Sequence, residues 1–170
     1  LYTGRLSLQK NILRLTREIA KHIENSAVPT RFLLCGHFDQ LGAPFFGVHL
    51  AQSEYFDQWQ TLLESLPEKV RQRISYLGNK TADELRALYN ASDLYVSLST
   101  HHDEDFGMSP LESLCSGAPC ALSGWGGYAS FALDSDSCLL APVEITEKGL
   151  RLSSAIFQKN LQTLLAQKET

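Results

Sequence analysis

Short apolar runs alternate along the chain with segments in which apolar residues recur at helical spacing. The apolar runs predict six strands, of which the first ends at Thr3 and the others cover residues 31–35, 74–78, 94–98, 119–123 and 138–140. After the first strand, Ile12, Leu15, Ile19 and Ile23 recur at the spacing that is typical of an amphipathic helix. Similar patterns predict helices over residues 53–73, with a break near Pro67, and over 109–117 and 150–167. A capping box from Thr81 to Glu84 opens a further predicted helix, which continues through Leu85, Leu88 and Tyr89.

This alternation of strands and helices predicts an α/β fold in a single domain of residues 1–170. We expect a Rossmann-like, doubly wound, mostly parallel six-stranded sheet in the order 3-2-1-4-5-6, with helices on both faces. Ligands of such sheets bind at the carboxyl ends of the strands where the order reverses, which here is between strands one and four. The loops after these two strands are therefore expected to carry the site.

Both loops contain charged residues that suit a ligand with phosphates and sugars. The first loop carries Arg5 and Lys10, and the second carries Glu104 and Gly107 ahead of a predicted helix. Glu104 and Glu112 have seven residues between them. A helix N-terminus offers unpaired N–H groups and a positive dipole end to an anion, and carboxylates beside it can accept hydrogen bonds from hydroxyl groups. A nucleotide-sugar has this distribution of groups.

Simpler interpretations of these residues stay open at this point. Ser109 and Glu112 have the spacing of a capping box, in which Glu112 would only bond to the Ser109 amide. Arg5 and Lys10 could be solvated surface cations, which is the usual environment of these side chains.

The acidic run beside Glu104 has two further interpretations. It could be a solvated charged loop, or it could hold a metal ion through Asp103 and Asp105, which would make the protein a metal-dependent sugar-nucleotide enzyme. The adjacent His101 and His102 would add nitrogen ligands to such a site.

Composition narrows the class of protein. The 170 residues are 44% hydrophobic and 20% charged, with a net charge of −4, which argues against a nucleic-acid or anionic membrane platform. No apolar run approaches the roughly 20 residues of a membrane-spanning helix. The four cysteines are predicted to be small core residues in a reducing compartment; they are Cys35, Cys115, Cys120 and Cys138.

Several short motifs follow one another in a specific order. They are Gly4-Arg5-Leu6 with Lys10-Asn11, Leu77-Gly78, Ala91-Ser92-Asp93-Leu94, the E-x7-E spacing from Glu104 to Glu112, Gly117-Ala118-Pro119, and Trp125-Gly126-Gly127-Tyr128. In this combination the chain resembles, over nearly its whole length, the C-terminal domain of retaining family-four glycosyltransferases of the GT-B fold.

The resemblance implies a nucleotide-diphosphate sugar as donor substrate and glycosyl transfer with retention. Arg5 and Lys10 would bind the diphosphate, and Glu112 would accept hydrogen bonds from the ribose. Glu104 would position the transferred sugar and, as the candidate catalytic residue, help to stabilise positive charge on its ring. Backbone atoms would meet the phosphate and sugar oxygens at Phe106, Gly107, Met108 and Ser109.

The same resemblance implies the partners. No cofactor and no divalent metal would be required, and a glycan, lipid or small-molecule acceptor would be bound by an N-terminal domain outside these residues. Polysaccharide biosynthesis in the cytoplasm is expected, with peripheral contact to the inner face of the membrane as an option. Ser130 and Gly124 stand where the family often has acidic residues. These departures leave room for a nucleotide-binding or interaction domain without transfer activity.

Overall fold

A computed structural model describes residues 1–38, 48–101, 104–132 and 136–167, and only the helical backbone over residues 48–53. The chain forms two compact units. One unit consists of Tyr2–Lys80, and the other consists of Leu1 with Thr81–Thr170. Each unit contains its own sheet.

The unit of Tyr2–Lys80 is built on a parallel sheet of three strands with the order β1-β2-β3. Leu34, at the middle of the sheet, is paired with Tyr2 on one side and Tyr76 on the other. In chain order its elements are β1 (Tyr2–Thr3), α1 (Ile12–Asn25), β2 (Phe32–Cys35), α2 (Val48–Ser65), α3 (Glu68–Arg71) and β3 (Ile74–Tyr76).

An aromatic cluster and the apolar face of α1 form the core of this unit. Ile12 and Leu15 of α1 are fully buried, as their spacing in the sequence predicts. Phe38 lies with its ring centroid 5.4 Å from that of Trp59, whose indole N–H donates to the Thr16 hydroxyl at 3.1 Å. A polar contact of this kind satisfies the indole N–H where it is removed from water.

The second unit is built on a four-stranded sheet with the order β4-β5-β6-β7. The first three strands are parallel and the β6–β7 pair is antiparallel. In chain order its elements are α4 (Ala82–Asn90), β4 (Tyr95–Ser97), α5 (Met108–Cys115), β5 (Cys120–Gly124), a 3-10 helix (Gly126–Phe131), β6 (Cys138–Thr146), β7 (Gly149–Leu152) and α6 (Ser154–Ala166).

β4 and β5 of this second sheet are buried, and α6 packs on β5 and β6. Continuous buried runs are what a parallel sheet covered by helices produces. Cys120 and Cys138 are direct neighbours on β5 and β6 and lie in this core, as Cys35 does in the other unit. The prediction of a core position is wrong for Cys115, which is exposed at the last residue of α5.

The α/β, Rossmann-like fold class is confirmed, and the orders of strands one to three and four to six match the predicted order. The expected side-by-side position of strands one and four stays a prediction. The helix that we predicted from residue 150 is wrong at its start. Gly149, at φ 103°, allows the chain to turn back and form β7, and the Ser153 hydroxyl accepts from the Ile156 amide to begin α6.

Within the described residues, no helix is both long enough and apolar enough to cross a membrane.

Candidate functional site

The loop that follows β1 is held against the end of β2 by a close backbone approach. The Gly4 amide donates to the Cys35 carbonyl at 3.1 Å, and a Cβ added at Gly36 would overlap the Gly4 carbonyl oxygen. The Tyr2 hydroxyl donates to the Arg5 carbonyl at 2.8 Å. Gly36 therefore leaves room for the contact, Gly4 adopts a φ of 130° that favours glycine, and the backbone that carries Arg5 is fixed.

Lys10 lies immediately before α1, where the loop turns into the helix. The Lys10 amide donates to the Ser7 carbonyl at 3.2 Å. Asn11 occupies the N-cap position in the left-handed conformation, with φ 57°, and makes no side-chain cap. The Leu13 amide instead donates to the Tyr55 hydroxyl at 3.3 Å. Tyr55 thus occupies part of the helix N-terminus that an anion could otherwise use, which leaves the side chains of the loop to bind a phosphate.

In the second unit, the loop that follows β4 is held by the turn that follows β5. The Gly127 amide donates to the Glu104 carbonyl, and the Trp125 indole N–H donates to the His101 carbonyl at 2.9 Å. A Cβ at Gly126 would lie 2.5 Å from the Glu104 carbonyl oxygen, and a Cβ at Gly127 would overlap the next carbonyl. Only glycine lets the two loops approach this closely.

The Glu104 side chain is buried, with 8% of its surface exposed. Its carboxylate lies close enough to interact with the Tyr128 hydroxyl, which also lies 3.0 Å from the Ser97 hydroxyl. Burial, and then the negative charge of Glu104, raise the pKa of the Tyr128 phenol well above its ordinary value. The phenol therefore stays protonated and can donate to the carboxylate at any pH at which the protein is studied.

Helix α5 begins at Met108, because Gly107 takes the N-cap position with φ 89°. A Cβ at Gly107 would lie 2.7 Å from the Tyr128 ring, so the ring packs directly on this backbone. Phe106 and Met108 on either side are 49% and 61% exposed. The first N–H groups of a helix have no partner within the helix, so this exposed start can offer the Met108 and Ser109 amides to a ligand.

The capping box suggested by Ser109 and Glu112 is wrong, as is the helix start at Ser109. With the helix beginning at Met108, Glu112 lies in the second turn, beyond the reach of the first-turn amides. Its carboxylate accepts instead from the Tyr89 hydroxyl at 2.8 Å. Pro110 then falls at the third helical position, where a missing N–H costs no helical bond.

A family model for glycosyl transferases, group 1, matches residues 1–156 of the chain. The chain belongs to this family. An uncharacterized glycosyltransferase of Methanocaldococcus jannaschii, MJ1607, is 29% identical over 127 residues, which are 75% of this chain and 27% of that protein. The resemblance that the motifs predicted is thereby confirmed at the level of the family.

Solved glycosyltransferase structures share the fold. A glycosyltransferase from Rickettsia africae has a TM-score of 0.73 at 17% identity, and the match covers 99% of this chain and 38% of that protein's chain. Anabaena HepE in complex with UDP and glucose has a TM-score of 0.69 at 16% identity, with the same coverage. The chain therefore spans well under half the length of the glycosyltransferases it matches.

The metal hypothesis falls partly on residues that are not described. Asp103 and His102 lie outside the described residues, and Asp105 is exposed. Among residues 1–38, 48–101, 104–132 and 136–167, no three His, Cys, Asp or Glu side chains group in a way that could hold a metal ion.

For this group 1 glycosyltransferase domain, the structure brings together one set of predicted site residues. Glu104, the Phe106–Ser109 backbone and Glu112 follow one another on a single loop and helix of the second unit. Arg5 and Lys10 belong to the other unit, and their approach to this set stays a prediction.

Sequence reasoning missed the tyrosines that contact the two glutamates. Tyr89 fitted the apolar face of a predicted helix, and Tyr128 was one residue of a turn motif. In both cases a buried phenol needs a hydrogen-bond partner, and that requirement was the available signal.

Proposed function

We propose that this chain is the donor-binding part of a retaining glycosyltransferase and that it binds a nucleoside diphosphate sugar. Membership of glycosyl transferases group 1 supports the class of reaction. The observation that carries the proposal is the pair of interlocked loops around Glu104 and Gly127, which fixes a buried carboxylate next to an exposed helix start.

Arg5 and Lys10 would bind the diphosphate. Their loop is fixed at Gly4, and Tyr55 takes the Leu13 amide of the following helix, so the cationic side chains rather than that helix end would supply the positive charge. As the sugar–phosphate bond breaks, negative charge develops on the leaving diphosphate. Fixed cations and amides that are already oriented toward that charge lower the barrier without further rearrangement.

The two glutamates would bind hydroxyl groups at the two ends of the donor. Glu112 is exposed and is oriented by Tyr89, which suits it to accept from a ribose diol. Glu104 is buried beside the start of α5, which suits it to position the transferred sugar. We propose that no divalent metal takes part, because cations and helix amides would neutralise the phosphates.

The acceptor would be bound by a facing domain outside these 170 residues. Reaction requires donor and acceptor to be held together with water excluded, and closure of two domains over a cleft achieves both. The greater length of the similar glycosyltransferases supports this arrangement. We expect the complete enzyme to work in the cytoplasm in polysaccharide biosynthesis.

The test is a thermal-shift screen of the chain against UDP, GDP, ADP and their sugars. The uridine pair comes first, because HepE was solved with UDP and glucose. A nucleotide at 100 times its dissociation constant should stabilise the chain by about 2.7 kcal/mol. For a protein of this size the melting temperature should rise by roughly 5–10 °C.

The shift should persist in EDTA if no metal takes part. Loss of the shift in EDTA, with recovery on adding Mg²⁺ or Mn²⁺, would instead support a metal-dependent donor site. A folded chain that shows no shift with any nucleotide would contradict the proposed function.

A further inference from the structure

Two buried polar side chains next to Glu104, those of Tyr128 and Ser97, have no role in the proposed function. Tyr128 is 3% exposed, and its hydroxyl interacts with the Glu104 carboxylate. On its other side the same hydroxyl lies 3.0 Å from that of Ser97, which is fully buried at the end of β4. The three side chains come from three separate segments of the second unit.

The direction of the hydrogen bonds follows from the chemistry of the groups. A carboxylate has only acceptor atoms, so the Tyr128 hydroxyl donates to Glu104. With its proton directed at Glu104, the phenol oxygen would accept from the Ser97 hydroxyl, although the 3.0 Å contact itself allows either atom to donate. A hydrogen bond to a charged group in a buried site is stronger than one between neutral groups in water, and consecutive bonds of this kind reinforce one another.

The surroundings leave the phenol little freedom to move. Its ring packs on the Gly107 backbone, where a Cβ would approach to 2.7 Å. The adjacent Gly127 amide donates to the Glu104 carbonyl, so the main chain and the side chain of Glu104 are both held by the same turn. A glutamate held in this way loses less conformational entropy when a ligand binds.

We propose that Tyr128 is a positioning residue, which holds the Glu104 carboxylate in the orientation that accepts hydrogen bonds from the donor sugar. Ser97 holds the phenol in turn. This inference rests on the proposed function and adds to it a device that acts on the sugar and not on the nucleotide.

Y128F tests the proposal, because it removes only the hydroxyl and keeps the ring that packs on Gly107. Calorimetry measures the affinity of each variant for UDP and for UDP-glucose, with GDP and GDP-mannose or ADP and ADP-glucose used if the wild type prefers them. Y89F is the matched control, since it removes the phenol that contacts Glu112. S97A is a second variant, which keeps the Tyr128 phenol and removes the Ser97 hydroxyl that contacts it.

We expect Y128F to change the affinity for the nucleotide sugar and not the affinity for the free nucleotide. Y128F should weaken binding of the nucleotide sugar by about 3- to 10-fold, because one charge-assisted hydrogen bond no longer orients Glu104. Binding of the free nucleotide should stay within about twofold, as for a change remote from the ligand. S97A should also weaken binding of the nucleotide sugar, by a smaller factor. Y89F should weaken binding of the nucleotide and of the nucleotide sugar by the same factor.

Equal losses for both ligands in Y128F, or no loss for either, would overturn the positioning role while leaving the donor site intact. If Y128F fails to fold, as judged by near-ultraviolet circular dichroism, the same comparison is made on S97A. A wild-type chain that binds no nucleotide of any pair would overturn the proposed function itself, and this inference with it.

Discussion

The substitution G127A tests whether the close approach of two loops builds the donor site. Gly127 lies in the turn after β5, and an added Cβ there would overlap the Asp105 carbonyl oxygen and lie 2.6 Å from the Phe106 amide nitrogen. Both atoms are backbone, so no side-chain rotation can relieve the overlap. The backbone φ of Gly127 lies outside the left-handed region, which means that the substitution acts through the contact alone.

The expected magnitude follows from the size of the overlap. Ordinary contact between non-bonded heavy atoms lies near 3.5–4.0 Å, so the Asp105 carbonyl oxygen and the added Cβ must separate by roughly 1.5 Å. Overpacking of this kind costs typically about 1–3 kcal/mol of folding free energy. Because the Gly127 amide also holds the Glu104 carbonyl, the separation should displace Glu104 and weaken binding of the donor.

The assay combines chemical denaturation with calorimetric titration of UDP and UDP-glucose. G149A is the matched control, because Gly149 has φ 103° and nothing within 4 Å of an added Cβ. Its cost, about 1–3 kcal/mol, should come from backbone strain alone. The two variants should therefore lose similar stability, while only G127A should bind the nucleotide sugar more weakly.

Two results would refute this reasoning. If G127A keeps wild-type stability and wild-type affinity, the close packing at Gly127 does not constrain the loop. If G149A weakens sugar-nucleotide binding as much as G127A does, the loss follows from general destabilisation and not from the position of Glu104.

Three further predictions concern the remaining residues of the proposed site. R5A and K10A should each weaken nucleoside diphosphate binding by roughly 1.5–3 kcal/mol and nucleoside binding far less; equal losses in calorimetry would show that neither side chain contacts phosphate. E112Q should keep the hydrogen bond from Tyr89 and hold stability within about 0.5 kcal/mol, yet weaken nucleotide binding, and unchanged affinity would leave Glu112 as a partner of Tyr89 alone. The 170-residue chain should bind donor but transfer no sugar, so product formation from donor and candidate acceptors would contradict a separate acceptor domain.

Much of the fold could be predicted because it depends on local patterns. Buried parallel strands produce short apolar runs, and the capping box that opens α4 at Thr81 is present as its sequence indicates. The predicted helix starts were wrong where the backbone conformation of a glycine determines the structure. At Gly107 and Gly149 a positive φ shifts a helix start or turns the chain into a hairpin, and apolar periodicity does not report backbone conformation.

The glutamates of the candidate site could be predicted from the sequence, but the side chains that contact them could not. Glu104 and Glu112 could be selected from their spacing around Gly107. Their partners could not, because Tyr89 lies 23 residues from Glu112 and belongs to another helix. A hydrogen bond between segments far apart in sequence depends on how elements pack. A buried phenol indicates that it has a partner, but its neighbours in sequence do not identify which residue that is.

The two tyrosine–glutamate pairs also differ in a way that bears on selectivity. Glu112 is exposed, so water competes for its carboxylate and the Tyr89 contact orients it only weakly. Glu104 is buried and interacts with a phenol that is held by Ser97 and by packing on Gly107, so its orientation is set before any ligand arrives. Preorganised groups discriminate more strongly, because a ligand that fails to match them leaves buried polar atoms unpaired. Under the proposed function, discrimination between sugars should therefore exceed discrimination between ribose and deoxyribose nucleotides.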